Sequence, residues 1–138
     1  MAKAHLIMPS DETLIILSLL GEGKTFPLDR NFLYEKFYEL SQSFSSLFQG
    51  YVFDTSKIYP YCEIVSIAVN RIIGGWRMVE WKDGESDCVI LPAMVKKGKK
   101  AMELFSAAER VQLRDAAEKF KEMINNHYVE KCGCGECG

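Results

Sequence analysis

Two histidines, four prolines and no apolar run long enough to cross a bilayer are what this 138-residue chain is short of, and each shortage excludes something. His5 and His127 lie near opposite ends of the chain. A serine or cysteine nucleophile paired with a histidine base and an orienting carboxylate is therefore not set up by the sequence. No acidic pair stands at motif spacing and no catalytic motif is complete, so the expectation is a protein that is not an enzyme. The most apolar run, Leu14 to Leu20, falls well below the roughly 20 residues of a membrane span. Asp11 and Glu12 precede it and no small-residue cleavage site follows, so it does not read as a signal peptide, and a cytoplasmic protein without a membrane partner is expected. Neither sign of charge dominates: 17 Lys and Arg stand against 19 Asp and Glu, for a net charge of -2. That excludes coating of nucleic acid through overall charge and leaves room only for a local basic patch. A disulfide framework is missing too. The five cysteines are an odd number and three crowd the last seven residues, which fits a reducing compartment.

What is present is a chain that is 48% hydrophobic and 26% charged, enough for one domain with a buried core. Ser10, followed by the acids Asp11 and Glu12, predicts an N-cap and first turn for a short core helix that Gly21 stops. Gly21-Glu22-Gly23-Lys24-Thr25 ends like a phosphate-binding loop. The earlier glycine of that motif is replaced by Ser18 and Pro27 removes an amide, so a plain helix-to-helix turn is expected. Asp29 caps a second helix whose stripe is Leu33, Phe37, Leu40 and Phe44, with Tyr34 and Tyr38 forming a second buried edge. Tyr51-Val52-Phe53 reads as a short strand and Asp54 to Lys57 as a turn.

Pro60 marks the start of a third helix that runs to about Ile73. Its core stripe is Val65, Ala68, Val69 and Ile72, which leaves Glu63, Ser66 and Asn70 on the outer face. Gly74-Gly75 ends it. Trp76 to Trp81 and Cys88 to Leu91 read as two strands joined by the tip Lys82-Asp83-Gly84-Glu85. Cys62 and Cys88 are assigned to the core. Ser106 and Glu109 form a capping box for a last helix to about Asn126, with Leu113, Ala117, Phe120 and Ile124 on one face. That face packs on the domain or on its counterpart in a second chain.

The order helix, helix, short strand, helix, two-stranded hairpin resembles the winged-helix fold of small prokaryotic regulators, and the segment Leu91 to Lys100 looks like their passage from the last strand into a basic helix. Tyr51-Val52-Phe53, Tyr59-Pro60-Tyr61-Cys62 and Ile72-Ile73-Gly74-Gly75 are similar to the Panacea-type antitoxin-associated domain, with Tyr59 and Cys62 standing where its motif has glycine and serine. The fold expected is mainly α with a small β-hairpin, an α+β winged helix-turn-helix over residues 9–105. A C-terminal helix for packing or dimerisation at 106–127 and a cysteine-rich tail at 128–138 complete the expected organisation.

The resemblance implies a regulator that binds double-stranded DNA, most naturally as a homodimer with two recognition helices. Ser66 and Asn70 would meet base edges, and Thr55, Ser56, Lys57 and Tyr61 would hold phosphates at the start of the helix. Arg77, Lys82, Lys96, Lys97, Lys99 and Lys100 would supply the salt-dependent grip. Glu63 argues the other way, and a solvated helix face explains the same residues without DNA. The alternative is an antitoxin-like protein-interaction module with an apolar patch around Tyr34, Tyr38, Tyr59 or Trp81. In the tail, Cys132, Cys134 and Cys137, with His127 as a fourth donor, could converge on Zn or Cu(I), making the regulator metal- or redox-responsive. A tail with no fixed ligand is the plainer reading.

Overall fold

From Thr13 to Ser18 every residue is buried, so the first helix is surrounded on all sides and the other elements assemble around it. The computed structural model describes residues 10–56, 58–74, 78–81 and 87–131. Five helices and three strands are described: α1 (Asp11–Ser18), β1 (Thr25–Pro27), α2 (Arg30–Ser43), α3 (Glu63–Ile73), β2 (Val79–Trp81), β3 (Asp87–Ile90), α4 (Pro92–Met102) and α5 (Ala107–Lys131). The fold is mainly helical with a small antiparallel sheet in the order β1-β3-β2. The expected hairpin tip Lys82 to Glu85 lies outside the described residues.

α1 touches α3, α4 and α5. Its approach to α4 is closest at Gly98, where a Cβ would overlap the Ser18 side chain. Ser18 is itself held, its hydroxyl donating to the Ile15 carbonyl at 2.7 Å. The expected N-cap role of Ser10 is not seen: its hydroxyl instead accepts from Arg71 at 2.7 Å. Arg71 also pairs with the buried Asp11 carboxylate at 3.0 Å, tying the start of α1 to the last turn of α3.

The segment expected to be a plain turn does turn at residues 21–24, and at Thr25 it runs on into the first strand. Gly21 and Gly23 both adopt positive φ, 108° and 82°, which L-residues with a Cβ rarely reach, and the chain reverses there. Gly23 N then donates to Ile90 O at 2.8 Å and Ile90 N to Lys24 O at 2.9 Å, starting the β1–β3 ladder. Pro27, last in β1 and without an N–H, ends it. Conversely, Tyr51-Val52-Phe53 is not a strand. It is extended chain followed by a single Asp54–Tyr61 bridge, and Tyr51 is anchored by its ring against Phe48 and by its hydroxyl 2.8 Å from Thr13 Oγ1.

The periodic helices follow their patterns. Asp29 accepts from Asn31 N at 3.0 Å, and Leu33, Phe37 and Leu40 of α2 are buried, while Phe44 falls just past the helix as its C-cap. α3 begins at Glu63 rather than Pro60, because Tyr61 is held extended in its bridge to Asp54, and its stripe Val65, Ala68, Val69 and Ile72 is buried as expected. The capping box of α5 forms in both directions, Glu109 N to Ser106 Oγ at 3.1 Å and Ser106 N to Glu109 Oε1 at 2.8 Å. α5 continues to Lys131, so residues 128–131 belong to this helix and not to the tail.

Leu113, Ala117, Phe120 and Ile124 of α5 are buried within the chain, with the Phe120 ring 5.1 Å from Phe37 and 6.3 Å from Phe32. Leu113, Phe120 and Ile124 each contribute about 1.5–3 kcal/mol relative to exposure, and Ala117 less. This face is therefore spent inside the chain and is not the dimer surface that was one of its two expected uses. Cys62 and Cys88 are free thiols in the core, as expected.

Candidate nucleic-acid interface

α4 turns Met94, Gly98 and Met102 inward. At 100° per residue, Lys96, Lys97, Lys99 and Lys100 then fall on the opposite side, within roughly 160° of arc, and all four are exposed. Pro92 opens the helix at its first turn, where its missing N–H costs no hydrogen bond, and Lys99 and Lys100 in the last turn complement the helix dipole. The lysines thus form one ridge on an element fixed to the core.

Two clefts flank the ridge. On one side, about 400 Å³ is enclosed among Asp11, Arg71, Lys97, Lys100, Ala101, Glu103 and Leu104. On the other, about 140 Å³ lies among Lys99, Met102, Glu103, Arg110 and Arg114. Arg110 is positioned by the chain itself, donating from Nε to Met102 O at 3.1 Å and from Nη2 to Glu103 O at 3.0 Å. The result is a basic band that crosses the end of α3, the whole of α4 and the start of α5. Of its cations, Arg71 is paired with Asp11, and the exposed Glu103 lines both clefts. Sequence reading missed Arg71, Arg110 and Arg114, because each joins the band only once helices distant in sequence are packed.

The other residues read as DNA contacts are placed less favourably. Lys57, Arg77 and Lys82 lie outside the described residues. Ser56 gives both its amide and its hydroxyl to Asp54 Oδ1, at 3.0 and 2.6 Å, and Thr55 beside it is exposed. Tyr61 is 42% exposed with its ring edge-on to Tyr34 at 5.3 Å. On α3, Ser66 is half-buried, and the exposed Asn70 already accepts through Oδ1 from Arg30 Nη2 at 2.6 Å. The remaining outward residues of α3 include Glu63, Ile67 and Ile73. The outer face expected to read bases thus holds an acid, a half-buried serine and an engaged asparagine beside two exposed isoleucines, while the cations gather beside its C-terminal end.

Among the described residues, no group of three or more His, Cys, Asp or Glu side chains is arranged to hold a metal, and no helix is long and apolar enough to cross a membrane. Cys132, Cys134 and Cys137 lie outside those residues. His127 is half-buried, its ring tilted against Phe32 at 4.7 Å and edge-on to Tyr128 at 5.4 Å, so packing accounts for its place. The loop at Gly21–Thr25 offers no phosphate cradle, since the amides of Gly21, Gly23 and Lys24 are given to Ser18, Ile90 and Gly21 carbonyls. Nor are the buried thiols nucleophiles: burial raises Cys62, and burial with Asp87 alongside pushes Cys88 up to about 12.

A separate polar cluster sits at the start of α1. Burial, reinforced by the neighbouring charges of Asp11 and Glu109, pushes the Glu12 carboxyl up to about 7, although Tyr51 donates to it at 3.4 Å. The chain matches no family model, no curated protein and no solved structure, so the meaning of the band rests on its own chemistry.

Proposed function

We propose that this protein is a winged-helix regulator that grips double-stranded DNA through the basic band on α4. The observation that carries the reading is the ridge Lys96, Lys97, Lys99 and Lys100, continued by Arg110 and Arg114 in a chain whose net charge is -2. Concentrating cations in one place against an acidic balance is what a polyanion-binding surface requires, since attraction to phosphates depends on local rather than total charge. The winged-helix assignment is supported by the chain order α1-β1-α2-α3-β2-β3, with β3 lying between β1 and β2. Ser66, and the part of Asn70 not engaged by Arg30, are the groups offered to base edges, so phosphate contacts carry most of the affinity and specificity is modest. A homodimer, a cytoplasmic setting and a tail that takes Zn or Cu(I) through Cys132, Cys134 and Cys137 belong to the same proposal.

Binding of the reduced protein to random-sequence duplex DNA across a salt series tests it. Each phosphate contact contributes a slope of about -0.9 in log K against log salt. Changing the four lysines to alanine should flatten the slope by about 3 and weaken binding at low salt by at least about 100-fold. No binding by the unchanged protein at 50 mM salt rejects the reading.

A second reading, a protein-interaction module without DNA binding, is favoured by one specific observation. The outward residues of α3 include Glu63, Ile67 and Ile73, and Tyr59 just before it and Trp81 on β2 are 42% and 50% exposed. Tyr34 is buried and Tyr38 half-buried, so they contribute less to such a patch.

A further inference from the structure

Between the turn that leads into β1 and the second half of α5 lies a cleft of about 270 Å³, lined by Leu20, Lys24, Thr25, Lys121, Ile124 and Asn125. None of these belongs to α4, so the cleft is separate from the lysine ridge. The turn holds its own side in place: Gly21 and Gly23 take positive φ, Lys24 N donates to Gly21 O at 3.2 Å, and Lys24 O accepts from Ile90 N at 2.9 Å. Lys24 therefore projects from a backbone tied on both sides. On the facing wall, Ile124 is buried in the core, and Lys121 and Asn125, four residues apart, fall within about 40° of each other on one flank of α5.

The chemistry of the cleft is one-sided. Its polar functions are two ammonium groups, a hydroxyl and a carboxamide, and no carboxylate stands among the described lining residues. In a chain with 19 acids against 17 bases, that bias is local. The end of α1 offers little to a cation, since the Ile15, Leu17 and Ser18 carbonyls already accept from the amides of Leu19, Leu20 and Gly21. Lys121 has an ion pair with Glu118 at 3.0 Å, but the Glu118 side chain is 71% exposed, and so open a pair yields readily to a better-placed anion. Leu20 and Ile124, both buried, add an apolar wall on which a carbon skeleton can rest. The volume lies just under the roughly 300–1,000 Å³ of small-molecule sites, so the occupant is small.

We infer that this cleft binds a small phosphate monoester, its dianionic group held by Lys24 and Lys121 and its carbon skeleton laid on Leu20 and Ile124. A phosphate monoester carries close to two negative charges at neutral pH and three acceptor oxygens, which match two ammonium groups with donors from Thr25 and Asn125 beside them. A carboxylate, with one charge and two oxygens, leaves one lysine unmatched. The binding is done by side chains, because the Gly21, Gly23 and Lys24 amides are already engaged. It is independent of the DNA contact on α4.

Titration of the isotope-labelled full chain with phenyl phosphate under reducing conditions, followed through its backbone amide NMR signals, tests the inference. The signals of Lys24, Thr25 and Asn125 should shift saturably, with Kd on the order of 0.1–1 mM, and benzoate should bind at least about 5-fold more weakly. Lys24→Ala and Lys121→Ala, neither in the core, should each raise Kd at least about 5-fold. Lys119→Ala, exposed on the other side of α5, should leave it unchanged. No saturable shift at about 20 mM phenyl phosphate overturns the inference, as does a Kd indifferent to both cleft lysines or benzoate binding as tight as the phosphate. A response of the same three signals to duplex DNA but not to phenyl phosphate overturns it too, by making the cleft part of a nucleic-acid surface. Failure of the DNA salt titration leaves it standing, because no α4 lysine lines the cleft.

Discussion

The two ends of α3 are opposites. Its N-terminal end opens with the exposed Glu63 and follows a groove whose described lining is rich in tyrosine and an exposed isoleucine, whereas its C-terminal end carries Arg71 beside Lys97 and Lys100 of α4. Both ends are held by one buried stripe, Val65, Ala68, Val69 and Ile72, so the contrast owes nothing to how firmly each is mounted. It lies in what water does at each. A contact at the apolar end would displace water with a gain that salt does not screen; one at the basic end would displace counterions with a gain that salt removes. A single helix can thus serve two kinds of contact that respond in opposite ways to ionic strength.

The sharpest way to break this comparison is salt itself. Between 50 and 200 mM, affinity for duplex DNA should fall by about 100- to 1,000-fold if five or so phosphates are neutralised, while protein contacts made through the apolar end hold steady in the same buffers. Loss of both with salt would mean that the apolar end is not apolar in function. Next in size is Arg71→Met, which removes the 3.0 Å ion pair to the buried Asp11 carboxylate and the hydrogen bond to Ser10; urea denaturation should show a loss of about 3 kcal/mol. Because Arg71 is already paired with Asp11, its loss should alter the DNA salt slope far less than the loss of an α4 lysine. Gly98→Ala should cost about 2 kcal/mol despite alanine's better helix propensity, since its methyl group meets a Ser18 side chain held by its own hydrogen bond. A variant with unchanged stability would show that α4 does not lie flush on α1.

The smallest effect belongs to Glu12. Its folded pKa of about 7 lies above the ordinary 4.5, so folding favours the protonated form. The stability this contributes is fully present below about 4.5 and is lost as the pH rises to about 7. Glu12→Gln should therefore be more stable than the unchanged chain at pH 8, by about 1 kcal/mol after allowance for partial solvation, and should flatten thermal stability between those values. A pH profile identical in both proteins would place the titration elsewhere.

Much of the helical frame was legible because it depends on contacts three or four residues apart. The α3 stripe, the Asp29 cap and the Ser106–Glu109 box are all of this kind. β1 was not legible: three residues ending in proline carry no strand signal, and what makes them a strand is Ile90, more than 60 residues away. Tyr51-Val52-Phe53 has strand composition but finds its partners through side chains, in Phe48 and Thr13. For the candidate interface, the lysines of α4 could be read directly because they are adjacent in sequence. Arg110 and Arg114 could not, since their place depends on the turn that brings α5 back alongside α4, and Ser10 looked like a cap because nothing local announces Arg71.

The described sheet is three strands wide, and β1 and β2, at its two margins, are three residues each, with β1 closed by a proline. Among the described residues, such margins offer few free amides to template another chain's backbone, which gives strand-upon-strand growth little to start from.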